Sequence, residues 1–513
     1  MPNPAPPSEP APIAGPSLAD VHADAPGIAW FVGPVESAFE SAKATNKPVL
    51  LYWGAQWCPP CKQLKSAVFN RPDFIEKSKL FVAVYLDGDL PDAQKWGDEF
   101  RVTGYPTVVV LKGDRTEITR IAGNMDLSLY AGVLDNVLGD VRPVKNVIEM
   151  AAKGDAPLAA DDCRRLAYHA FGLEDDGVFP AAKLQSAFEH AARTCPADLT
   201  KERARLHIRA AEQATAQQKS VLKSGGKADK ALTVAIVRVN ELLNNKELSL
   251  ANADALRGLR TEFFLAARQT LPQLAPTLRE RWMAIADAAT TNQEFAPADQ
   301  LAAQLMKITA AKAYAADGKV PTDVRSVALN TATRMLDVKQ DAYVRAGVVN
   351  SAINIYIALD DWERARDLLT LEATTSNTPY YYIGDLADVE ERLGNIDRSV
   401  ELLADAYAKA KGPASRFQWG YSYLEGLLRM KPDDLATIDK VGTQVIAELE
   451  GPNRIHRRTL SRLNKLDEKL NAWNTTAARG AVVAQLRARV ARACEISGGE
   501  KIGSCAVVAS ATT

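Results

Sequence analysis

The sequence lacks the features that mark several large classes of protein. It contains no run of about 18 apolar residues, so no membrane-spanning helix is expected. Its net charge is −1 at pH 7, which leaves no basic field to attract nucleic acid or an anionic membrane. Histidines are scarce and scattered, five in 513 residues. We therefore expect neither a membrane span nor a nucleic-acid partner, and the length predicts two or more domains.

The N-terminus also lacks a secretory signal, because no basic stretch is followed by an apolar one. Seven of the first 16 residues are proline instead. Such a segment buries too little apolar surface to fold, so residues 1–26 are predicted to form a disordered or polyproline-type arm. Arms of this composition often follow a cleaved signal or lipid anchor, and we expect that this sequence has lost one.

Composition divides the rest of the chain near residue 140. Before that point, the β-rich runs "PVLLYWG", "FVAVYLD" and "PTVVVLK" alternate with amphipathic segments, which predicts an α/β domain over 27–139. After it, helical periodicity dominates, with short breaks at Gly, Pro, Asn and Asp. We predict an all-α region over 145–490 and a C-terminal tail over 491–513.

One internal repeat stands out in the helical region. The segments around Asp360-Asp361 and Gly394-Asn395 align, and their offset is 394 − 360 = 34 residues. Thirty-four residues is the period of tetratricopeptide repeats, which this region resembles. Ser399 and Glu390 depart from the small and aromatic residues common in that family. The resemblance implies a stack of helix pairs.

The stretch "QWCPPCK", residues 56–62, places Cys58 and Cys61 three positions apart. A structural zinc site would need two further ligands, but no second C-x-x-C or histidine pair exists, so we expect no metal. A purely structural crosslink over so short a loop would stabilise the fold little. A reactive dithiol is the interpretation that remains.

The flanking sequence favours reactivity. An apolar strand ends just before Cys58 and a helix, "CKQLKSAVF", follows, so Cys58 is predicted at a helix N-terminus. There the free N–H groups and the helix dipole stabilise a thiolate. Cys61 follows one turn later on the same face, where it can resolve a mixed disulfide. Pro59 and Pro60 suit a first helical turn.

Residues 27–139 resemble the thioredoxin family, in "WCPPCK", in "GYPT" before a strand and in "RIAG" on the strand after it. The opening of this region looks most similar to periplasmic thioredoxin-like domains of thiol-disulfide interchange proteins. The resemblance implies a thioredoxin fold without a cofactor, with Cys58 as nucleophile and Cys61 as resolving cysteine. It also implies a substrate groove around a cis-proline. The groove residues are Trp57, Pro59, Pro60, Tyr105 and Pro106.

Three positions depart from the family pattern. Tyr52 and Ala83 stand where thioredoxins usually carry a buried aspartate and a facing lysine, so the usual proton acceptor for Cys61 is missing. Lys65 stands where the interchange reductase has a carboxylate. We expect Lys62 and Lys65 to stabilise a thiolate electrostatically instead.

Four further cysteines bear on the compartment. Cys163 and Cys195 lie at neighbouring ends of a predicted helical hairpin, and a flexible segment can return Cys505 to Cys494, so both pairs are possible structural disulfides. Buried free thiols in a cytoplasmic protein are the alternative. With the proline arm, the pairs favour a periplasmic or other extracytoplasmic location.

Together these features predict a protein-disulfide reductase or exchange enzyme. Its partners would be protein thiol or disulfide substrates, recruited by the helical region, and an upstream thiol electron donor. The alternative is a redox-linked chaperone or protein-binding module in which the helical region carries the main activity.

Two motifs of the helical region are interpreted as structural rather than functional. "YYY" at 380–382 is interpreted as packing between helices rather than a peptide-binding face. "RIHRRTLSR" at 454–462 is interpreted as a solvated helix face rather than a patch for an anionic ligand.

Overall fold

The computed structural model describes residues 27–122, 130, 133–138, 141–154, 156–171, 179–376, 378–451 and 454–497. The predicted arm over 1–26, Gly123 of the "RIAG" motif and Cys505 lie outside these residues.

A four-stranded mixed sheet forms the N-terminal domain. Its strands, in the spatial order β2-β1-β3-β4, are β1 Val49–Gly54, β2 Val82–Asp87, β3 Thr107–Leu111 and β4 Glu117–Ala122. Strand β1 pairs in parallel with β2, with Tyr52 opposite Tyr85, and antiparallel with β3. Strand β4 pairs antiparallel with β3 at the edge. The strands expected from the three apolar runs are confirmed.

Helices cover both faces of this sheet, which explains why its central strands are apolar throughout. Alternate residues of β1 enter different cores: Leu50 and Tyr52 face one, Leu51 and Trp53 the other. The helices of this domain are α1 Val35–Thr45, α2 Pro59–Leu64, α3 Pro72–Ser78 and α4 Pro91–Glu99, with a π-helical turn, Lys65–Phe69, after α2.

The remainder of the described chain is helical, as expected for the fold class. Its helices are α5 Val144–Lys153, α6 Ala160–Tyr168, α7 Ala181–Thr194, α8 Thr200–Gln217, α9 Lys219–Lys223, α10 Lys230–Leu242, α11 Lys246–Leu250, α12 Ala253–Leu256, α13 Thr261–Thr270, α14 Ala275–Thr290, α15 Pro297–Tyr314, α16 Thr322–Asp337, α17 Ala342–Ala358, α18 Trp362–Thr375, α19 Pro379–Arg392, α20 Ile396–Lys409, α21 Pro413–Met430, α22 Leu435–Ala447, α23 Arg457–Trp473 and α24 Ala477–Ile496. The boundary predicted at residue 490 falls inside α24. Within the described ranges, no helix is both long and apolar enough to cross a membrane.

The 34-residue repeat corresponds to two successive helix pairs, α17–α18 and α19–α20. Asp360 and Gly394, which the repeat aligns, both turn the chain with positive φ, 55° and 84°. The departing residues have local roles: Ser399 Oγ donates to the carbonyl oxygen of Ala387 at 2.7 Å, and Glu390 accepts from the turn at 2.6 Å. Assignment of the region to tetratricopeptide repeats stays a prediction.

The two regions share one apolar core. Residues of α5 and α6, among them Val147 and Leu166, belong to the same buried cluster as Tyr52 on the sheet. The sheet edge is covered as well, because the N–H of Ala170 donates to the carbonyl oxygen of Arg120 on β4 at 2.9 Å. An edge strand with a covering segment is protected from pairing with other chains. The helical region is thus built directly onto the α/β domain.

A disulfide joins Cys163 on α6 to Cys195, the residue that ends α7. Their Cα atoms are 6.0 Å apart, and both side chains are buried. Cys494 is buried on α24, whereas its proposed partner lies outside the described residues.

Candidate active site

The C-x-x-C pair lies where β1 leads into α2. Cys58 is the N-cap of α2, with Pro59 and Pro60 in the first turn, and its Sγ accepts from the N–H of Cys61 at 3.2 Å. The two cysteines form a disulfide with their Cα atoms 5.2 Å apart. When this bond is reduced, the N-cap position and the N–H of Cys61 favour the thiolate form of Cys58.

The loop before β3 forms the neighbouring wall. The peptide bond between Tyr105 and Pro106 is cis, and the carbonyl oxygen of Tyr105 lies 3.7 Å from Cys58 Sγ. Thr107 Oγ1 donates to the carbonyl oxygen of Gly104 at 2.8 Å, which closes this loop on itself. The residues from the two motifs are therefore brought together at one end of the sheet.

The helical region covers the dithiol. Cys58 is 3% exposed and Cys61 0%, and both belong to a core cluster made mainly of helical-region residues. Leu301, Val348 and Tyr382, from α15, α17 and α19, are members of that cluster. The substrate groove implied by the resemblance is therefore covered by the helical region in this conformation, and its role stays a prediction. The physical reason is that burying the apolar tryptophan and prolines around the dithiol against apolar helices is favourable in free energy.

The part of the helical region that packs over the dithiol is called the cover, and three contacts hold it in place. The Trp57 ring stacks on Tyr381 with centroids 6.2 Å apart, and Lys62 Nζ donates to Thr378 Oγ1 at 3.5 Å. On α17, Gly347 faces Gln63, and a Cβ built on this glycine would lie 3.2 Å from the Gln63 side chain. A glycine here lets α17 approach α2 closely.

A buried carboxyl links the dithiol motif to the cover. Asp89, in the loop after β2, accepts from Trp57 Nε1 at 3.1 Å and is hydrogen-bonded by Ser415 Oγ of α21. Burial, helped by the nearby Asp87, raises the pKa of Asp89 to about 6, although the two hydrogen bonds and Arg458 oppose this rise. Asp89 is thus set to change charge near neutral pH.

Ionisation of Asp89 is expected to loosen the packed structure. Because its folded-state pKa is raised, its stabilising effect is complete below the unfolded value of about 4 and is lost as pH rises through about 6. The loss by pH 7 is of the order of 3 kcal/mol. Thermal melts of the wild type should show a lower midpoint at pH 7 than at pH 5, and an Asp89→Asn variant should reduce this difference. The remainder includes Asp385, whose pKa burial raises to about 7. Equal pH dependence in both proteins would contradict the assignment.

A cavity of about 590 Å³ lies beside the C-x-x-C helix, between it and the helical region, and neither cysteine lines it. Pro60, Tyr105 and Pro106 of the thioredoxin-like domain line it, as do Asn350 and Asn354 of α17. Its far wall carries charged residues of both signs, which are Arg205, Arg209, Glu212, Asp254, Arg257, Arg260 and Asp299. The cavity offers a route to the C-x-x-C helix while the cover stays closed.

The residues that depart from the family pattern take up packing roles. Tyr52 lies 5.2 Å from Tyr85 between ring centroids, within the core beneath the dithiol. Lys65 is buried with its ammonium 5.2 Å from the Tyr85 ring centroid. Lys65 is therefore held by an aromatic face. In the described part of the chain, no group of three or more His, Cys, Asp or Glu side chains could hold a metal ion.

Sequence reasoning missed Asp89 and Gly347 at this site, because nothing local marks a loop aspartate or a helical glycine as contacts of the dithiol. It placed the tyrosines at 380–382 between helices, where Tyr380 and Tyr382 are indeed buried. It did not assign Tyr381 to Trp57. The three consecutive aromatic residues were the signal that could have raised this possibility.

Comparison with known proteins agrees with this geometry. Residues 35–138 match the family model of a thioredoxin-like domain. The chain is 37% identical over 92 residues to Thioredoxin H2 of Arabidopsis thaliana, which covers 17% of this chain and 59% of that protein. It is 31% identical over 96 residues to a Thioredoxin H-type of Brassica oleracea, or 18% of this chain and 72% of that protein. It is also 30% identical over 100 residues to the Thiol:disulfide interchange protein DsbD of Pseudomonas fluorescens, or 19% of this chain and 17% of that protein.

Proposed function

Since this chain belongs to the thioredoxin family through its N-terminal domain, we propose that it reduces or exchanges disulfides of protein substrates with Cys58 and Cys61. The disulfide between these cysteines, at the helix N-terminus and beside a cis-proline, is the observation that carries the proposal. At the coarser level, the domain and its cysteine pair support a thiol-disulfide oxidoreductase.

The reaction uses the dithiol as a two-electron donor. The Cys58 thiolate attacks one sulfur of the substrate disulfide, forms a mixed disulfide and releases the other substrate sulfur as a thiolate. Cys61, as its thiolate, then attacks Cys58 Sγ, which releases the second substrate thiol and closes the Cys58–Cys61 bond. A thiol donor restores the dithiol by the reverse exchange. The two substrate sulfurs are reduced and the two cysteines are oxidised, so electrons balance.

Substrate reaches this dithiol, in our proposal, through the helical region. The cavity beside Pro60 and Pro106 supports entry of an extended segment of a protein rather than a folded surface. The helical region would then select substrates as well as recruit them. Its wide surface would raise the local concentration of a bound substrate near Cys58.

Cysteine variants of the full chain test the reaction. Cys58→Ser should lower the dithiothreitol-driven reduction of a protein disulfide to the rate of dithiothreitol alone. Cys61→Ser, the matched control, should instead accumulate a mixed disulfide between Cys58 and the substrate, detected by non-reducing electrophoresis and mass spectrometry. Full activity in the Cys58→Ser variant would exclude Cys58 as the nucleophile.

The direction of exchange and the compartment belong to the same proposal. Equilibration against glutathione should give a potential near or below about −220 mV for a reductant, whereas about −120 mV would mark an oxidant. The Cys163–Cys195 disulfide supports an extracytoplasmic location. Free thiols at these positions in freshly isolated, unreduced protein would favour the cytoplasm instead.

Burial of the dithiol favours a second candidate function, a redox-linked protein-binding module. If binding were the main activity, a Cys58→Ser/Cys61→Ser variant would protect an unfolding client protein from aggregation as well as the wild type does. Loss of protection in this variant would count against the module.

A further inference from the structure

A second cavity, of about 540 Å³, lies between the thioredoxin-like domain and α23. Four of its cationic residues share one face of α23, because they are spaced by four, three and four positions. Two more cations line the cavity: Arg101, in the loop after α4, and Arg457, at the start of α23. The six cations are Arg101, Arg457, Arg458, Arg462, Lys465 and Lys469. The cavity is therefore strongly basic in a chain whose net charge is −1.

The positive charge in this cavity is poorly balanced by the protein. Glu425 is the one acidic residue that lines it, and its carboxylate already accepts from Lys469 at 2.6 Å. Among the described residues, no carboxylate lies within ion-pair distance of Arg458, Arg462 or Lys465. At Arg458, Arg462 and Lys465 the cavity thus holds cations in excess.

Arg458 and Arg462 share a single neutral acceptor. Both donate to Gln418 Oε1, at 2.9 and 3.1 Å. Burial and the neighbouring Arg458 lower the pKa of Arg462 to about 10. The interpretation of "RIHRRTLSR" as a solvated helix face is therefore wrong for these two arginines. The Arg458 guanidinium instead lies 4.7 Å from the Tyr105 ring centroid.

Arg458 and Arg462 are partly buried, and such cations without an anion are costly, since each loses hydration and repels its neighbours. A bound oxyanion would remove that cost, and guanidinium groups match phosphate and carboxylate oxygens in geometry as well as charge. The volume of the cavity lies in the range of small-molecule sites. We propose that this cavity binds a small multivalent oxyanion, a molecule bearing phosphate groups or clustered carboxylates.

This site is separate from the dithiol, although Tyr105 stands between them. Tyr105 contacts Arg458 on one side and lies 6.2 Å from Trp57, centroid to centroid, on the other. The proposal does not rest on disulfide exchange. A Cys58→Ser/Cys61→Ser variant is expected to bind the anion as the wild type does, so failure of one proposal can be told from failure of the other.

Calorimetric titration of the full oxidised chain tests the site, with inorganic pyrophosphate and with citrate as probes at constant ionic strength. We expect one-to-one binding of at least one probe and about tenfold or greater weakening in an Arg458→Gln/Arg462→Gln variant. A Lys246→Gln/Lys440→Gln variant, which removes two exposed charges elsewhere, should bind normally. Preference for pyrophosphate would assign a phosphate ligand, and preference for citrate a carboxylate ligand.

Two results would overturn the proposal. One is the absence of saturable binding by either probe up to millimolar concentration. The other is equal weakening in the cavity variant and the exposed-charge control, which would show a general charge effect. Should Arg458→Gln/Arg462→Gln fail to fold, Lys465→Gln/Lys469→Gln, on the same face of α23, decides between these outcomes.

Discussion

Replacement of Gly347 by leucine is expected to raise the rate at which reduced Cys58 is alkylated, by about 5- to 150-fold. The glycine permits α17 to pack against Gln63, and Ala298 Cβ also lies 3.2 Å from where a Cβ would stand. Forcing a side chain into such a contact costs about 1–3 kcal/mol. Since Cys58 is buried when the cover is closed, this cost should appear as a larger population of open molecules.

Iodoacetamide labelling of the full chain, followed by mass spectrometry of the Cys58 peptide, measures this rate separately from the other cysteines. Gly347→Ala should give a smaller increase, because the Gln63 side chain can move by a few tenths of an ångström. Ala182→Leu introduces the same side chain at an exposed position of α7 and should leave the rate unchanged. Identical rates in Gly347→Leu and wild type would show that α17 does not limit access to the dithiol.

Removal of the Asp254 carboxylate should lower the free energy of unfolding by about 3–5 kcal/mol. Arg205 and Asp254 pair through two hydrogen bonds of 2.8 and 2.5 Å, and their side chains are 1% and 3% exposed. Burial alone would raise the pKa of Asp254, but Arg205, with Arg257 and Arg209, holds it well below its ordinary value. In an Asp254→Ala variant, the Arg205 charge would stay buried without the Asp254 carboxylate.

Urea unfolding followed by circular dichroism measures this effect, and Asp73→Ala provides the control. Asp73 pairs with Arg71 at the surface, where such pairs contribute less than about 1 kcal/mol. Because the folded-state pKa of Asp254 is depressed, its stabilisation is present above the unfolded value of about 4 and is lost as pH falls towards the folded one. The difference between wild type and Asp254→Ala should therefore shrink in acid. A loss no larger than that of Asp73→Ala would show that the pair is dispensable.

The dithiol and its cis-proline could be predicted from sequence because their signals are local. A β-rich run before Cys58, two prolines after it and a proline ahead of a strand each restrict the backbone within a few residues. The helical region was also predictable, since its periodicity repeats over many turns.

The cover could not be predicted, because it depends on pairs of residues far apart in the chain. Asp89 and Ser415 are 326 positions apart, and Lys62 and Thr378 are 316 apart. Each residue has an ordinary local explanation as a loop or cap residue. The basic cavity beside α23 could not be predicted for the same reason. The spacing of the arginines and lysines predicts that they share one face of the helix, but only the fold shows that this face contacts Tyr105.

The apolar core shared between the sheet and helices α5 and α6 sets a limit on how this protein can be divided or recombined. A cut near residue 140 would remove Val147 and Leu166 and leave their neighbours on the sheet side of the cluster facing water. An exposed apolar patch of that kind favours self-association. We therefore expect the thioredoxin-like domain to associate with itself when it is expressed without the first helices, so the two should be kept together when the chain is divided.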